Sequence, residues 1–307
     1  MIVIGGEALV DLVDDDGSVR PVAGGGPFNT AIAFGRLDVP VGFLGALSRD
    51  GYGQMLAQQL IDAGVDTSLV RWSDAPTPHA LVRPGRDGKN EYRFDLGGTS
   101  LADLRPDQLP VLPADAWAVY VGTLALAIDP PAAAYEALVA REAGRRRIIF
   151  DPNVRPAVFG GVDSYRRRFE QLAQLADLVK LSEDDAAWIY PTLPPEEVLR
   201  LILGFGPRVV ALTRGEYGAV AASGDVFVDV AGIRVDVVDT VGAGDSFGAA
   251  LIAALIDESA FGLEATRMPD EAVLARAVSY AVAASAITCT RTGATPPSRA
   301  EMRSFDR

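Results

Sequence analysis

Short apolar runs alternating with helix-periodic segments predict an α/β fold, a mostly parallel sheet covered by helices on both faces. Runs such as Ile2–Ile4, Trp117–Val121 and Val209–Thr213 are uniformly apolar and bounded by turn residues or acids, the signature of strands buried on two sides. Two stretches break this rhythm with period-2 alternation, which predicts small hairpins set apart from the main sheet. The length of 307 residues allows one large α/β domain or two smaller ones. No linker-like composition shift and no internal repeat divides it, so a single domain over 1–307 with a small β flap is expected.

The elements follow in order. Ile2–Ile4 is a short strand ending at Gly5-Gly6. Pro27–Leu37 and Tyr52–Ala63 read as helices on either side of the strand Val41–Ala46. Trp117–Val121 is a buried strand, and after Pro130-Pro131 the pattern Ala132–Ala143 is helical. Arg147–Phe150 is a strand running into Asp151-Pro152-Asn153. Then come helix Ser164–Ala176, strand Leu178–Leu181, helices Glu183–Ile189 and Pro194–Leu203, and strand Val209–Thr213. The exceptions are Asp11–Val22, a hairpin around a Gly turn, and Ala80–Leu96, two alternating strands around Pro84-Gly85-Arg86-Asp87-Gly88. These place flap strands within about 11–22 and 77–97.

Composition narrows the function. The formal charge of −13 leaves no basic footprint for nucleic acid or an anionic membrane. One cysteine (Cys289) and one histidine (His79) exclude a disulfide framework, a zinc site and an iron–sulfur site. Cys289, in an Ala/Ile/Thr-rich stretch, reads as a buried core thiol, and His79 as a loop or strand-edge residue. No Gly-x-Ser-x-Gly elbow accompanies that histidine, so a serine hydrolase is set aside. Asp14-Asp15-Asp16 reads as a solvated turn. No basic leader opens the chain, and apolar stretches such as Ala249–Ile256 are too short to span a bilayer, so a cytoplasmic location is expected.

The strongest local motif is Asp239-Thr240-Val241-Gly242-Ala243-Gly244-Asp245, followed by a helical run. A glycine turn opening a helix leaves unpaired amides and a partial positive charge, a site for an anion. Asp245 then stands beside that anion, either capping the helix or taking a proton from an incoming hydroxyl. Gly-x-x-x-x-Gly-Lys-Ser/Thr is absent, and Phe247 occupies the third glycine position of a dinucleotide fingerprint. A second cluster, Gly24-Gly25-Gly26-Pro27-Phe28-Asn29, also opens a helix. Asn29 there offers donor and acceptors to a sugar hydroxyl, or the glycines simply allow tight packing. Asp11 follows the first strand, and ligands of open α/β sheets bind at strand carboxyl ends.

In this order the residues resemble the ribokinase-like carbohydrate kinases, the family that includes fructokinases and the minor phosphofructokinase. The resemblance runs nearly end to end: Gly6-Glu7-Ala8-Leu9-Val10-Asp11, Gly24–Asn29, Asp50-Gly51-Tyr52-Gly53, Asp151-Pro152-Asn153-Val154-Arg155, Thr213-Arg214-Gly215-Glu216-Tyr217-Gly218 and Asp239–Asp245. It implies a three-layer fold with a β-sheet lid. It also implies Asp245 as catalytic base, with Gly242, Ala243 and Gly244 as anion hole. Asp11, Gly25, Gly26, Asn29 and Arg155 match sugar contacts. Ser182, Thr213, Arg214, Gly215 and Gly218 match the nucleotide site. Asp239 matches a monovalent-cation site. The family's Asn-x-x-Glu, linked to magnesium and phosphate, falls on Ser182-Glu183-Asp184-Asp185, so Ser182 and Asp185 replace Asn and Glu, and Asp185 is the implied magnesium partner.

The implied reaction is transfer of the γ-phosphoryl group of ATP to a sugar hydroxyl, with Mg²⁺ and K⁺ as cofactors. Lys180 or Arg155 would add positive charge, a surface salt bridge being the other reading of each. The lid would close over the sugar and exclude water. Glu91-Tyr92-Arg93-Phe94-Asp95 and the triple-glycine form resemble fructokinases, so fructose is the first expectation, ahead of ribose and 2-keto-3-deoxygluconate. Tyr92 and Phe94 would either stack on a nucleoside base or pack in a homodimer through the lid. A sugar- or nucleotide-binding regulator without catalysis is the alternative of another class.

Overall fold

The computed structural model describes residues 1–15, 18–84 and 90–305. The chain opens with β1 (Ile2–Gly5), the pair β2 (Leu9–Asp15) and β3 (Ser18–Gly24), α1 (Gly26–Arg36), β4 (Val41–Leu44), β5 (Ala46–Ser48) and α2 (Gly51–Asp62). Next come β6 (Arg71–Ser73), the pair β7 (His79–Pro84) and β8 (Asn90–Asp95), β9 (Ala118–Gly122), α3 (Pro131–Glu142), β10 (Arg147–Asp151) and α4 (Val162–Ala173). The chain continues through β11 (Leu178–Ser182), α5 (Glu183–Ile189), α6 (Pro195–Leu203), β12 (Val209–Thr213), β13 (Ala219–Ser223) and β14 (Val226–Val230). It closes with α7 (Ala243–Asp257), α8 (Glu271–Cys289) and α9 (Arg299–Phe305). The turn expected around Pro84–Gly88 lies mostly outside the described residues, as do Asp16 and the side chain of Glu91.

Eight strands form the main sheet in the order β14-β13-β12-β11-β10-β9-β1-β4. The six from β12 to β4 are parallel, and β13 and β14 add an antiparallel hairpin at one edge. Alternate residues feed two cores, as expected of strands covered on both faces. Ile4, Tyr120 and Ile149 join Phe34 of α1 and Leu251 of α7. Val3, Val121 and Phe150 join Leu138 of α3, Phe169 of α4 and Ile202 of α6. Each such buried side chain contributes about 1.5–3 kcal/mol relative to exposure, so the sheet gives the site a rigid floor.

The two expected hairpins combine into one four-stranded sheet, β3-β2-β7-β8, through parallel pairing of Val10–Val13 with His79–Val82. His79 thus starts a lid strand. Asp50 caps α2 by accepting from the Gly53 amide at 2.8 Å, and it also accepts from the Thr77 hydroxyl at 2.6 Å. That residue ties the helix to the chain entering the second lid hairpin.

Three expectations change. The strand expected over Val41–Ala46 divides at Gly45: β5 leaves the main sheet to pair with β6, and a Cβ on Gly45 would stand 2.7 Å from the Gly6 carbonyl oxygen. The longest apolar helix is α8, which is long and apolar enough by composition to cross a membrane. Here Leu274, Ala277, Val278 and Ala281 sit in the same core as α7. Cys289, read as a buried thiol, is only partly buried.

Candidate active site

The parallel strands β1, β9, β10, β11 and β12 all end at one edge of the sheet, where an open α/β fold binds its ligands. Two cavities lie there, of about 360 and 460 Å³. Both are walled by Thr240 and Gly244, so the loop entering α7 stands between them. Gly242 is the N-cap of that helix at φ +76°, and a Cβ on it would lie 2.5 Å from Cβ of Ala294. Only glycine takes that left-handed turn without moving a neighbouring backbone. The Ala243 amide donates to the Thr240 carbonyl at 3.3 Å, so it is partly engaged within the loop. The Ser246 amide donates to the Gly242 carbonyl at 2.8 Å, which leaves the first-turn amides of Gly244 and Asp245 as those suited to an anion.

Asp245 is the third residue of α7, whose N-cap is Gly242 and which has no side-chain cap bond. Asn29 Nδ2, from the first turn of α1, donates to Asp245 Oδ2 at 2.9 Å. The capping role left open by the sequence therefore does not hold. Asp245 is 7% exposed, and burial pushes its pKa up to about 6, against the opposing pull of the Asn29 amide and the Lys180 ammonium. Gly26 lets α1 approach: a Cβ there would stand 2.7 Å from Cγ2 of Thr123 and 2.9 Å from Nδ2 of Asn153.

The smaller cavity gathers the expected sugar contacts Asp11, Gly25, Gly26, Asn29 and Arg155 around Asp245. Burial raises Asp11 to about 6, with Arg155 opposing. The Arg155 guanidinium is exposed and donates to Asn153 Oδ1 at 2.7 Å. Tyr92 and Phe94 line the same cavity, stacked with ring centroids 6.0 Å apart. Glu7 also lines it, 1% exposed, accepting from the Thr123 hydroxyl and, at 2.9 Å, from the Ala125 amide. The sequence reading gave Glu7, Thr123 and Asn153 no role at the site. Glu7 carried a signal, as the lone charged residue among the first ten.

The larger cavity takes the expected Thr213, Gly215, Gly218, Ala243 and Gly244. Much of the rest of its wall is aliphatic or small, with Ile233, Val235 and Val237 from the loop after β14 and Val282, Ala286 and Cys289 from α8, and Glu216, Tyr217, Arg234 and Phe247 also line it. Tyr217 and Val237 stand at 70% and 62% exposure. An apolar slot of this kind suits a flat aromatic base, with phosphates directed to the α7 loop.

Four expected residues lie off both walls. Arg214 pairs its guanidinium with Asp229 instead, Nη1 at 3.2 Å from Oδ2. Ser182 caps α5, accepting from the Asp185 amide at 3.0 Å. Asp185 accepts from the Ser182 hydroxyl and, through Oδ1, from the Val154 amide at 2.7 Å. Its shorter carboxylate closes a capping box and anchors the Asp151–Arg155 segment, so its position gives no support to the magnesium role. Asp239 accepts from the amides of Val241 at 3.1 Å and Gly293 at 2.8 Å, clasping two loops beside the glycine turn. Among the described residues no three or more His, Cys, Asp or Glu side chains converge on a metal position.

The comparisons agree with this geometry. Residues 2–301 match the model of the pfkB family carbohydrate kinases. A fructokinase of Rhizobium leguminosarum bv. trifolii is 36% identical over 260 residues, covering 83% of this chain and 79% of that protein. The crystal structure of fructokinase from Vibrio cholerae O395, in a form binding fructose, ADP and calcium, superposes with a TM-score of 0.86 at 27% identity. That match covers 99% of this chain and 98% of the other. Aminoimidazole riboside kinase from Salmonella enterica, complexed with aminoimidazole riboside and an ATP analogue, gives 0.85 at 27% identity over 99% of each chain. An anion loop between two cavities, with a buried carboxylate on one side and this end-to-end likeness, places the chain in the pfkB family: it is a ribokinase-like carbohydrate kinase.

Proposed function

We propose that the kinase transfers the γ-phosphoryl group of ATP to a hydroxyl of fructose, with Asp245 as base. The observation that carries this is the shared wall. A nucleotide in the larger cavity presents its terminal phosphate at Gly244, and a sugar in the smaller one presents a hydroxyl to Asp245. Asn29 orients the carboxylate, Asp245 accepts the hydroxyl proton, and the α7 amides receive charge on the transferring group. Asp11, Glu7, Asn153 and Arg155 supply acceptors and donors for the remaining sugar hydroxyls. The lid strand carrying Tyr92 and Phe94 excludes water from the reacting atoms.

Among the described residues no three or more carboxylates, histidines or cysteines form a protein cage for a divalent ion, which fits a magnesium ion carried in on the nucleotide's phosphates. When bound, that ion neutralises phosphate charge. A potassium ion beside Asp239 and a homodimer through the lid are kept as proposals. The first is supported by the position of Asp239 next to the glycine turn, the second by Val19 and Tyr92 exposed on the lid. Activity in potassium against lithium salts, and sedimentation of the purified protein, test them.

A coupled ADP-release assay against fructose, ribose, 2-keto-3-deoxygluconate and nucleosides tests the acceptor, and fructose is expected to lead. The stacked Tyr92–Phe94 pair on the cavity wall favours one second reading, a riboside whose base lies on those rings. A riboside exceeding fructose in kcat/KM would select it. Asp245→Asn is expected to lose ~10²–10⁴ in kcat while remaining folded. Near-normal turnover by that variant would refute the base assignment, and ligand binding by the wild type without any ADP release would turn the reading to a regulator.

A further inference from the structure

Of the 28 lysines and arginines in this chain, only Lys89 and Lys180 are lysine. Lys180 is also the only cation that is buried among the described residues, at 3% exposure. It stands on β11, the strand that ends beneath the α7 loop. Its Nζ donates to Asp151 Oδ2 at 3.0 Å, an oxygen that also accepts from the Tyr120 hydroxyl at 3.0 Å. A Cβ placed on Gly244 would lie 3.1 Å from that Nζ, and one on Gly248 4.0 Å from Lys180 Cδ. The glycines of α7 leave room for a compact ammonium directly under the anion loop.

Stability alone gives no reason for such a pair, since a buried ion pair is often matched or exceeded by apolar residues of the same volume. The surroundings give another. Lys180 faces Asp151 from β10, Asp185 from α5 and Asp245 from α7. Asp245 in turn faces Asn29 of α1, Lys180, Asp151, and Arg155 from the segment after β10, and Tyr120 of β9 faces Asp151 and Asp245. We propose that Lys180 is a positioning residue for phosphoryl transfer. Seated under Gly244 and anchored by Asp151, its ammonium keeps Asp245 ionised and braces the glycine loop against the incoming phosphate. This rests on Asp245 being the base.

The two members of the pair act on Asp245 in opposite directions. Burial holds a proton on Asp245, Lys180 draws it off, and Asp151 helps retain it. Lys180 itself stays protonated: burial would strip its proton, and the three carboxylates outweigh that. Asp11 answers to its burial and Arg155 alone, so changes at Lys180 and Asp151 report on Asp245.

The test is kcat/KM for the sugar at saturating ATP and magnesium across the acidic limb, in wild type, Lys180→Met, Asp151→Asn and the double variant. Lys180→Met is expected to move the limb to higher pH by roughly one unit or more, and Asp151→Asn to move it to lower pH. A structural role would depress activity evenly at all pH values. If both single variants lose activity with the limb unmoved, or move it in the same direction, the proposal is overturned. Lys180→Met leaves Asp151 buried without its partner and risks misfolding. In that case Asp151→Asn decides, and the double variant, which removes the pair together, has to fold and show a limb between the two. Asp245→Asn separates the two readings. If it retains turnover, the base assignment fails; if it is dead and the limb is fixed in the other variants, only the role of Lys180 fails.

Discussion

The two cavities at the carboxyl edge of the sheet are built from different materials. The side proposed for the sugar is walled by side chains that carry chemistry: Glu7, Asp11, Asn29, Asn153, Arg155 and Asp245. The side proposed for the nucleotide is walled mainly by glycines and aliphatic residues, with Thr213 and Ser285 among its few hydroxyls and the exposed Glu216 and Arg234 as its charges. A sugar presents hydroxyls of fixed geometry, each requiring a directed partner. A flat base requires a slot, and its phosphates require amides. The first cavity therefore holds charges that burial opposes, and the charges of the second, Glu216 and Arg234, are exposed.

The sharpest way to break this division is at the wall the cavities share. Gly242→Ala places a Cβ against Ala294 at a residue with φ +76°, so the loop has to move. Loss of an aligned anion-hole donor lowers kcat by about 10²–10³, and KM should rise for both substrates. Steady-state kinetics in both substrates checks this. A variant affected in one substrate alone would show that the loop belongs to one cavity.

The next effect falls on one side only. Asp11→Asn weakens hydrogen bonds made to an ionised group, each contributing about 1.5–3 kcal/mol. KM for the sugar is expected to rise roughly 10- to 100-fold on that basis, with KM for ATP unchanged. An equal rise in both would contradict the separation of the cavities.

What the sequence revealed follows the same line. Asp245, Asn29, Asp11 and the two glycine clusters were legible because few residue types suit the roles proposed for them. Val235, Val237, Val282 and Ala286 were not, because an aliphatic wall looks like any core residue. The strands up to β12 were legible as short apolar runs between turn residues. The edge hairpin of β13 and β14 was not legible although Gly224-Asp225 separates its strands, since Ala219–Ser223 has mostly small side chains and no alternation. Helix α8 is apolar around most of its circumference and shows no amphipathic stripe to read. The resemblance carries the positions of Ser182 and Asp185 as ligand residues. Their orientation comes from the capping geometry of α5, which a motif does not encode.

A smaller effect concerns stability. Asp245 has a folded pKa of about 6 against an ordinary 3.8, so the folded state binds the proton more tightly than the unfolded one. The stability this contributes is full below about pH 4 and is lost as pH rises through about 6. At neutral pH the ionised carboxylate therefore costs the fold about 3 kcal/mol. Asp245→Asn is expected to melt several degrees higher than wild type at pH 7, with the gap closing near pH 4. Lower melting of the variant at pH 7 would mean that the Asn29 contact outweighs desolvation.

The smallest effect tests the inert side. Cys289 lines the nucleotide cavity from the end of α8, and burial followed by the nearby Asp239 carboxylate raises its thiol pKa. Alkylation proceeds through the thiolate, so labelling by iodoacetamide should be slow at neutral pH and quicken as pH rises. ATP should block it, and fructose should not, because the α7 loop stands between the thiol and the sugar. Cys289→Ala removes only a small apolar contact, so KM for ATP should change by less than about threefold, with KM for sugar unaltered. Protection by fructose alone would mean that filling the sugar cavity closes the nucleotide side as well. The two cavities would then be coupled through the α7 loop despite their different walls.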